Sequence, residues 1–284
     1  MFNSRPKAPL SALMKYGITL VVCLAFLTAC LTDEEKRLQT DQAFEGEEMF
    51  RLSYSLDEHV AYAFYPMAYY RDSTNQSALP GCPTVVINEL TNEVVLTFGQ
   101  EDCATNRGQR SGKLILQYPP DTLLSEYHQV GIRYEDYWAK GAKIEGRRRL
   151  FEIDTLASDL ALADSISDFI VTDVNRSTST LSGVFLHELL MDNDTLQSYS
   201  TVGSAYGRNI TGRSYTMEIR EKKQFSLSCV QEGFQVAEGG QESWTFERTA
   251  SRNVIHTMAY QQADDCNNGA QISLDDGAEL IKNQ

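Results

Sequence analysis

Val85-Val86-Ile87-Asn88-Glu89-Leu90-Thr91-Asn92-Glu93-Val94-Val95-Leu96-Thr97-Phe98 decides the fold. Val85 and Ile87 alternate, and so do Val94, Leu96 and Phe98, with Leu90-Thr91-Asn92 between the two runs. A period of two on either side of a short turn signals two antiparallel strands. The same signature recurs downstream at Leu114/Leu116/Tyr118, Val130/Ile132/Tyr134, Leu150–Ile153 and Phe169/Val171. It continues at Val184/Leu186, Tyr215/Met217/Ile219, Phe225/Leu227/Cys229, Trp244/Phe246, Val254–Tyr260 and Ile272/Leu274. Gly239-Gly240 reads as a separator between strands, and Asp276-Gly277 as a two-residue hairpin turn. Residues 155–165 are the weak spot, suited to a helical turn or a long connection.

Upstream the period changes. Met49, Leu52, Leu56, Val60, Ala63 and Met67 fall three or four apart, which predicts a helix over 43–66 packed on the β region. Pro66 should stop it near Tyr65, because the residue before a proline disfavours the α region. Residues 71–81 read as a loop. The expected fold is therefore mainly β: a long antiparallel meander of about ten to twelve strands over 82–284, preceded by one N-terminal α-helix. A sheet that long must curl, close or split, so a curled sheet, half-barrel or sandwich all fit. Leu96-Thr97-Phe98 leads through an acidic turn to Cys103 and Gly108. Met258-Ala259-Tyr260 leads likewise to Cys266 and Gly269, an echo that two similar halves would produce.

The first residues carry Arg5, Lys7 and Lys15 and no acid, then an apolar run from Tyr16 to Leu27. A charged start, a short apolar stretch and small residues before a cut make an export signal over 1–29. The run is shorter than the ~20 apolar residues a spanning helix needs. Leu27-Thr28-Ala29-Cys30 resembles the lipobox of bacterial lipoproteins. That resemblance implies lipidation at Cys30, cleavage before it, and an anchor of two or three acyl chains such as palmitate. Residues 30–42 then form a polar tether. Its Asp33-Glu34-Glu35 cluster resembles a surface-export signal of Bacteroidota lipoproteins, and a solvated acidic tether reads the same way. The expected location is the outer membrane, lipid-anchored, on its periplasmic or cell-surface face.

The chain has 25 Lys and Arg against 39 Asp and Glu, a net charge of −14. Loss of residues 1–29 removes three basic residues and makes it −17. Such a balance argues against nucleic acid as a partner. Of six cysteines, Cys23 leaves with the signal and Cys30 takes lipid. Cys82, Cys103, Cys229 and Cys266 remain, an even number that suits disulfides in an exported chain. Four cysteines allow three connectivities. A hairpin would bring the ends holding Cys82 and Cys103 together, and Cys229 would then pair with Cys266.

Cys82-Pro83, Phe98-Gly99, Cys103, Gly108 and Arg110-Ser111-Gly112-Lys113-Leu114 resemble a family of uncharacterised Bacteroidota lipoproteins. Cys229 and Asp265-Cys266-Asn267 resemble it too. The resemblance implies a fold and a location and carries over no catalytic residue.

Catalytic signatures are lacking. His59, His128, His187 and His256 show no metal-ligand spacing, and His187-Glu188 has Met191 where a zincin helix needs its second His. Gly203-Ser204 lacks the second glycine of a nucleophile elbow. Asp264-Asp265 and Asp275-Asp276 do not follow the spacing of a calcium loop. No metal, cofactor or catalytic residue is expected. Arg147-Arg148-Arg149 is the one basic run, and alternation would put two of its charges on one face. Asp followed by Ser or Thr resembles the O-glycosylation motif of exported Bacteroidota proteins at Ser73, Thr122, Thr155, Ser165 and Thr195. Such pairs also start turns and cap helices.

The expected function is a membrane-anchored envelope lipoprotein with a non-catalytic binding, structural or assembly role. Its expected partners are the membrane and a protein, a glycan or a small apolar ligand. One alternative is a carrier holding an apolar ligand in a sheet-enclosed cavity. The other is a carbohydrate-active enzyme with an unrecognised carboxylate pair. The concave face of the sheet discriminates among them.

Overall fold

The computed structural model describes residues 41–99, 103–120, 129–153, 160–193, 195–249 and 252–283. The chain divides into two compact units, 1–44 and 45–284. Of the first, only 41–44 are described, and they are helical. The second contains every described strand. The export signal, Cys30 and the tether up to residue 40 lie outside the described residues.

The helix α1 spans residues 41–57. Met49, Leu52 and Leu56 share one stripe and are buried, as their spacing predicts. After a two-residue turn the chain continues as 3-10 helix over Val60–Phe64. Tyr65 is extended, φ −97 and ψ 141, as a residue before proline should be. A second 3-10 turn, Met67–Arg71, and a short helix α2, Ser73–Ser77, follow where sequence suggested a plain loop.

Among the described residues the rest is built on one sheet of thirteen strands in chain order, each antiparallel to the next. They are β1 Thr84–Asn88, β2 Glu93–Phe98, β3 Ser111–Gln117, β4 Gln129–Ala139, β5 Ala142–Ile153, β6 Leu160–Asp173 and β7 Thr178–Asp192. Then come β8 Thr195–Arg208, β9 Ser214–Ser226, β10 Gly239–Thr249, β11 Arg252–Gln261, β12 Gly269–Ser273 and β13 Glu279–Asn283. A third short helix, α3, occupies Leu227–Gln231 between β9 and β10. The sheet is not closed, and β1 and β13 are its edges. Both edges are short, five residues each, which limits the unpaired backbone a free edge presents.

Sidedness explains how the sheet holds the helix. Gly46 lies against Leu280 of β13 and Ile272 of β12. Tyr62 meets Phe98 of β2, and Arg51 pairs with Asp173 of β6 at 2.9 Å. One segment touches strands near both edges and the centre, so the sheet curls around it. Bulges supply the bend. Gly146 (φ +127) sits where the β5–β6 register shifts, and Gly203 (φ +147) where β8–β9 shifts. A Cβ at Gly146 would come within 2.6 Å of the Asp168 carbonyl oxygen, so only glycine allows that approach.

Three sequence expectations change. Leu227 and Cys229 are helical, so Phe225 ends β9 and starts no new strand. Gly239-Gly240 opens β10; the separator is the α3 segment before it. On β7, Val184 faces solvent while Phe185, His187 and Leu189 face the helix. The register shift between Ile166 and Phe169 on the β6 side resets that pairing.

Candidate functional site

The concave face is where a curled sheet would hold a ligand. Here it holds α1 and the 3-10 segment, and apolar packing through residues such as Met49, Leu52 and Tyr62 is joined by buried charge. Glu45, Glu48, Asp57 and Glu58 are buried on the helical segment. Isolated buried carboxylates are costly, so each needs a partner. The strands and the connections between them supply them.

At the N-terminal end Glu45 pairs with Arg248 at 2.6 Å, Arg213 at 3.2 Å and His256 at 3.2 Å. Glu48 accepts from Ser179 Oγ and from the Ile210 amide at 2.9 Å. Burial nevertheless pushes its pKa up.

In the middle, Lys223 of β9 donates to Ser53 at 2.8 Å and to Asp57, and pairs with Glu242 of β10 at 2.8 Å. Glu242 also accepts from Trp244 Nε1 at 2.8 Å and Tyr260 Oη at 2.9 Å. The two carboxyls differ. Burial pushes Asp57 up to about 6 against the pull of Lys223. Burial raises Glu242 too, but Lys223 and three hydrogen bonds outweigh it and hold the carboxyl below its usual range.

Towards the C-terminal end, Glu58 accepts from Arg110 Nε at 2.8 Å and Tyr137 Oη at 2.5 Å. Burial opposes its ionisation, and Arg110 with the hydrogen bonds overcomes that, so its pKa lies low. Arg148 of β5 donates to Asp164 of β6 at 2.8 and 2.5 Å and to the Leu56 carbonyl at 2.5 Å. His59 shares hydrogen bonds with Tyr134 Oη at 2.6 Å and Arg148 at 3.1 Å. Burial holds the His59 imidazole below its ordinary pKa.

One part of this array has the composition of a catalytic relay. Thr201 Oγ1 is 2.9 Å from His187 Nδ1, and His187 Nε2 is 3.1 Å from Asp164 Oδ2. A nucleophile must meet substrate, however, and Thr201, His187 and Asp164 are all buried. Asp164 is also claimed by Arg148, so the arrangement serves as a cross-strand tie. Between Ala61, Tyr62, Tyr65 and Leu227 the gap amounts to about 10 Å³, far below the several hundred Å³ of a ligand pocket.

Open space lies on the convex face. One groove of about 310 Å³ crosses β7–β9 at Glu188, Ser198 and Gln224. Another of about 600 Å³ crosses β6–β10 at Tyr206, Arg208 and Glu247. A third of about 490 Å³ crosses β3–β5 at Gly131, Arg133, Arg147 and Arg149.

Of the residues singled out in sequence, Cys82 is bridged to Cys103, Cα atoms 5.9 Å apart, and Cys229 to Cys266, 5.4 Å apart. This is the pairing the hairpin argument predicts. The bridged loops meet at one rim: Arg107 donates to the Glu232 carbonyl at 3.1 Å and stacks over Phe234. Ser73, Ser165 and Thr195 are exposed, and Asp72 caps α2 by accepting from the Thr74 amide at 2.8 Å. Thr122, Thr155 and His128 lie outside the described residues. His59, His187 and His256 are buried and hydrogen-bonded. Among the described residues no group of three His, Cys, Asp or Glu is placed to hold a metal. None of their helices is long and apolar enough to cross a membrane.

Sequence reading missed the interior charges. The available signal was Asp164, an acid at an inward position between Leu162 and Ile166. Buried acids call for buried bases: Lys223 of β9 answers Asp57 of α1, Arg110 just before β3 answers Glu58, and Arg148 of β5 answers Asp164 of β6. Compared with known protein families, curated proteins and solved structures, the chain matches none.

Proposed function

We propose that the chain is a membrane-anchored envelope lipoprotein with a non-catalytic binding, structural or assembly role. The observation that carries this reading is the filled concave face. A carrier needs that space for cargo and an enzyme for substrate; here a helical segment tied by buried ion pairs at Glu45, Asp57 and Glu58 occupies it. The lipobox at Leu27-Thr28-Ala29-Cys30 supplies the anchor, and the two bridges suit an oxidising compartment. Binding then falls to the convex face and the rims.

The test has two arms. Titration with a fluorescent fatty acid should show no saturable uptake; stoichiometric uptake would favour the carrier. Screening against glycan, ester, peptide and phosphate substrates should show no turnover. Turnover lost on neutralising one Asp or Glu, with the fold intact, would favour the enzyme.

A further inference from the structure

The run Arg147-Arg148-Arg149 splits between the two faces of β5. Arg148 turns inward to Asp164, which fixes the strand. Arg147 and Arg149 turn outward and are exposed. Alternate residues on one face of a strand stand about 7 Å apart. Arg133 of β4 stands beside them, and together they wall the groove of about 490 Å³.

Charge is the first observation that singles this groove out. Several exposed cations elsewhere on the strands sit against carboxylates, Lys113 on Glu135 at 2.6 Å, Arg220 on Glu218 at 2.9 Å and Lys222 on Glu188 at 2.5 Å, whereas Arg208 rests on the Gly212 carbonyl. In a chain of net charge −14 such pairing is common. Arg133 follows it through Glu93. Arg147 does not: it has no partner among the described residues. Among the described residues Arg149 faces only the neutral amide of Gln129.

The floor is the second. Gly131 pairs with Gln117 on one side and Arg149 on the other. Its φ lies outside the left-handed region, and a Cβ there would meet nothing nearer than 3.8 Å. Neither conformation nor packing requires glycine. Its consequence is a bare patch of sheet below two guanidinium groups, each a planar fork of donors suited to oxyanions.

We infer that this groove binds a phosphate-bearing ligand through Arg147 and Arg149. A phosphate dianion between two cations engages both; a single carboxylate is matched by one. The groove exceeds a bare phosphate, so the group is carried on a small molecule or a lipid headgroup. The inference rests on the binding role proposed above and narrows it.

The experiment uses the detergent-solubilised full chain and inorganic pyrophosphate, followed by calorimetry at low ionic strength. Saturable binding is expected. Arg147→Gln with Arg149→Gln should weaken it at least tenfold. Gly131→Phe should do the same, because it fills the groove and removes no charge. Arg176→Gln, an exposed cation elsewhere, should change nothing. Equal urea midpoints for all variants would show that the fold is intact. Absence of saturable binding overturns the inference. So does binding unmoved by Gly131→Phe, or weakened equally by Arg176→Gln, since either means diffuse attraction. Vesicles of phosphatidylcholine with and without phosphatidylglycerol identify the source: the acyl anchor binds both, so an excess that depends on phosphatidylglycerol and is competed by pyrophosphate assigns a headgroup, and pyrophosphate binding with no such excess assigns a soluble phosphate. If the groove fails while the Cys30 anchor holds and no substrate turns over, only this inference falls.

Discussion

Lys223→Met removes the one cation that Asp57 and Glu242 share and keeps most of the stem volume. Breaking a buried ion pair from one side costs about 3–5 kcal/mol. A second route sizes the Asp57 share alone. Without Lys223, Asp57 can escape by taking a proton. Holding a carboxyl of ordinary pKa 3.8 neutral at pH 7 costs about 4 kcal/mol, at ~1.4 kcal/mol per unit. Together they put the loss at pH 7 at about 3–5 kcal/mol. It should also shrink on acidification, because Asp57 is already taking up its proton near pH 6 in the native protein. Urea unfolding followed by fluorescence of the buried Trp244 at pH 7.5 and 5.5 measures both features. A loss under about 1 kcal/mol at pH 7.5, or one that ignores pH, would refute the claim that charge holds the helix in place.

Other perturbations have equally definite outcomes. Cys30→Ser should leave the protein unprocessed or released; a processed form still partitioning with membranes would contradict the anchor. Cys229→Ser with Cys266→Ser should cost about 4 kcal/mol by loop-closure entropy, and an unchanged urea midpoint would show that the bridge is idle. Asp57→Asn should flatten the pH dependence of stability. A raised carboxyl pKa contributes stability that is full below about 3.8 and lost as pH rises through about 6. A variant with the native slope between those values would dismiss that role. Glu58→Gln should act oppositely. Its low pKa contributes stability above the ordinary carboxylate value that is lost on acidification, so the variant should lose least, relative to native, in acid.

The meander was legible because each strand pairs with its neighbour in sequence, and a period of two with turn residues reports such pairs directly. β8 was not, because its inward positions include Thr201 and Ala205 and a bulge breaks its period. Arg148 shows the same limit: flanked by two solvent-facing arginines, it reads as surface, yet it is buried against Asp164. Alternation locates a core when the core is apolar. Where the inner face is lined with ions that answer acids on a distant helix, the pattern is written in pairs far apart, such as Asp57 with Lys223 and Glu58 with Arg110. The helix and its packing on the β region were read from Met49, Leu52 and Leu56, but the buried acids that tie it to the sheet were not.

Hydrogen exchange at the α1 amides, residues 46–57, tests that role most directly. A permanently seated helix predicts exchange only through global opening, with protection equal to that of the central strands β6–β9. Helix amides that exchange well before those strands would mean that the segment leaves the sheet, and the concave face would then be a site after all.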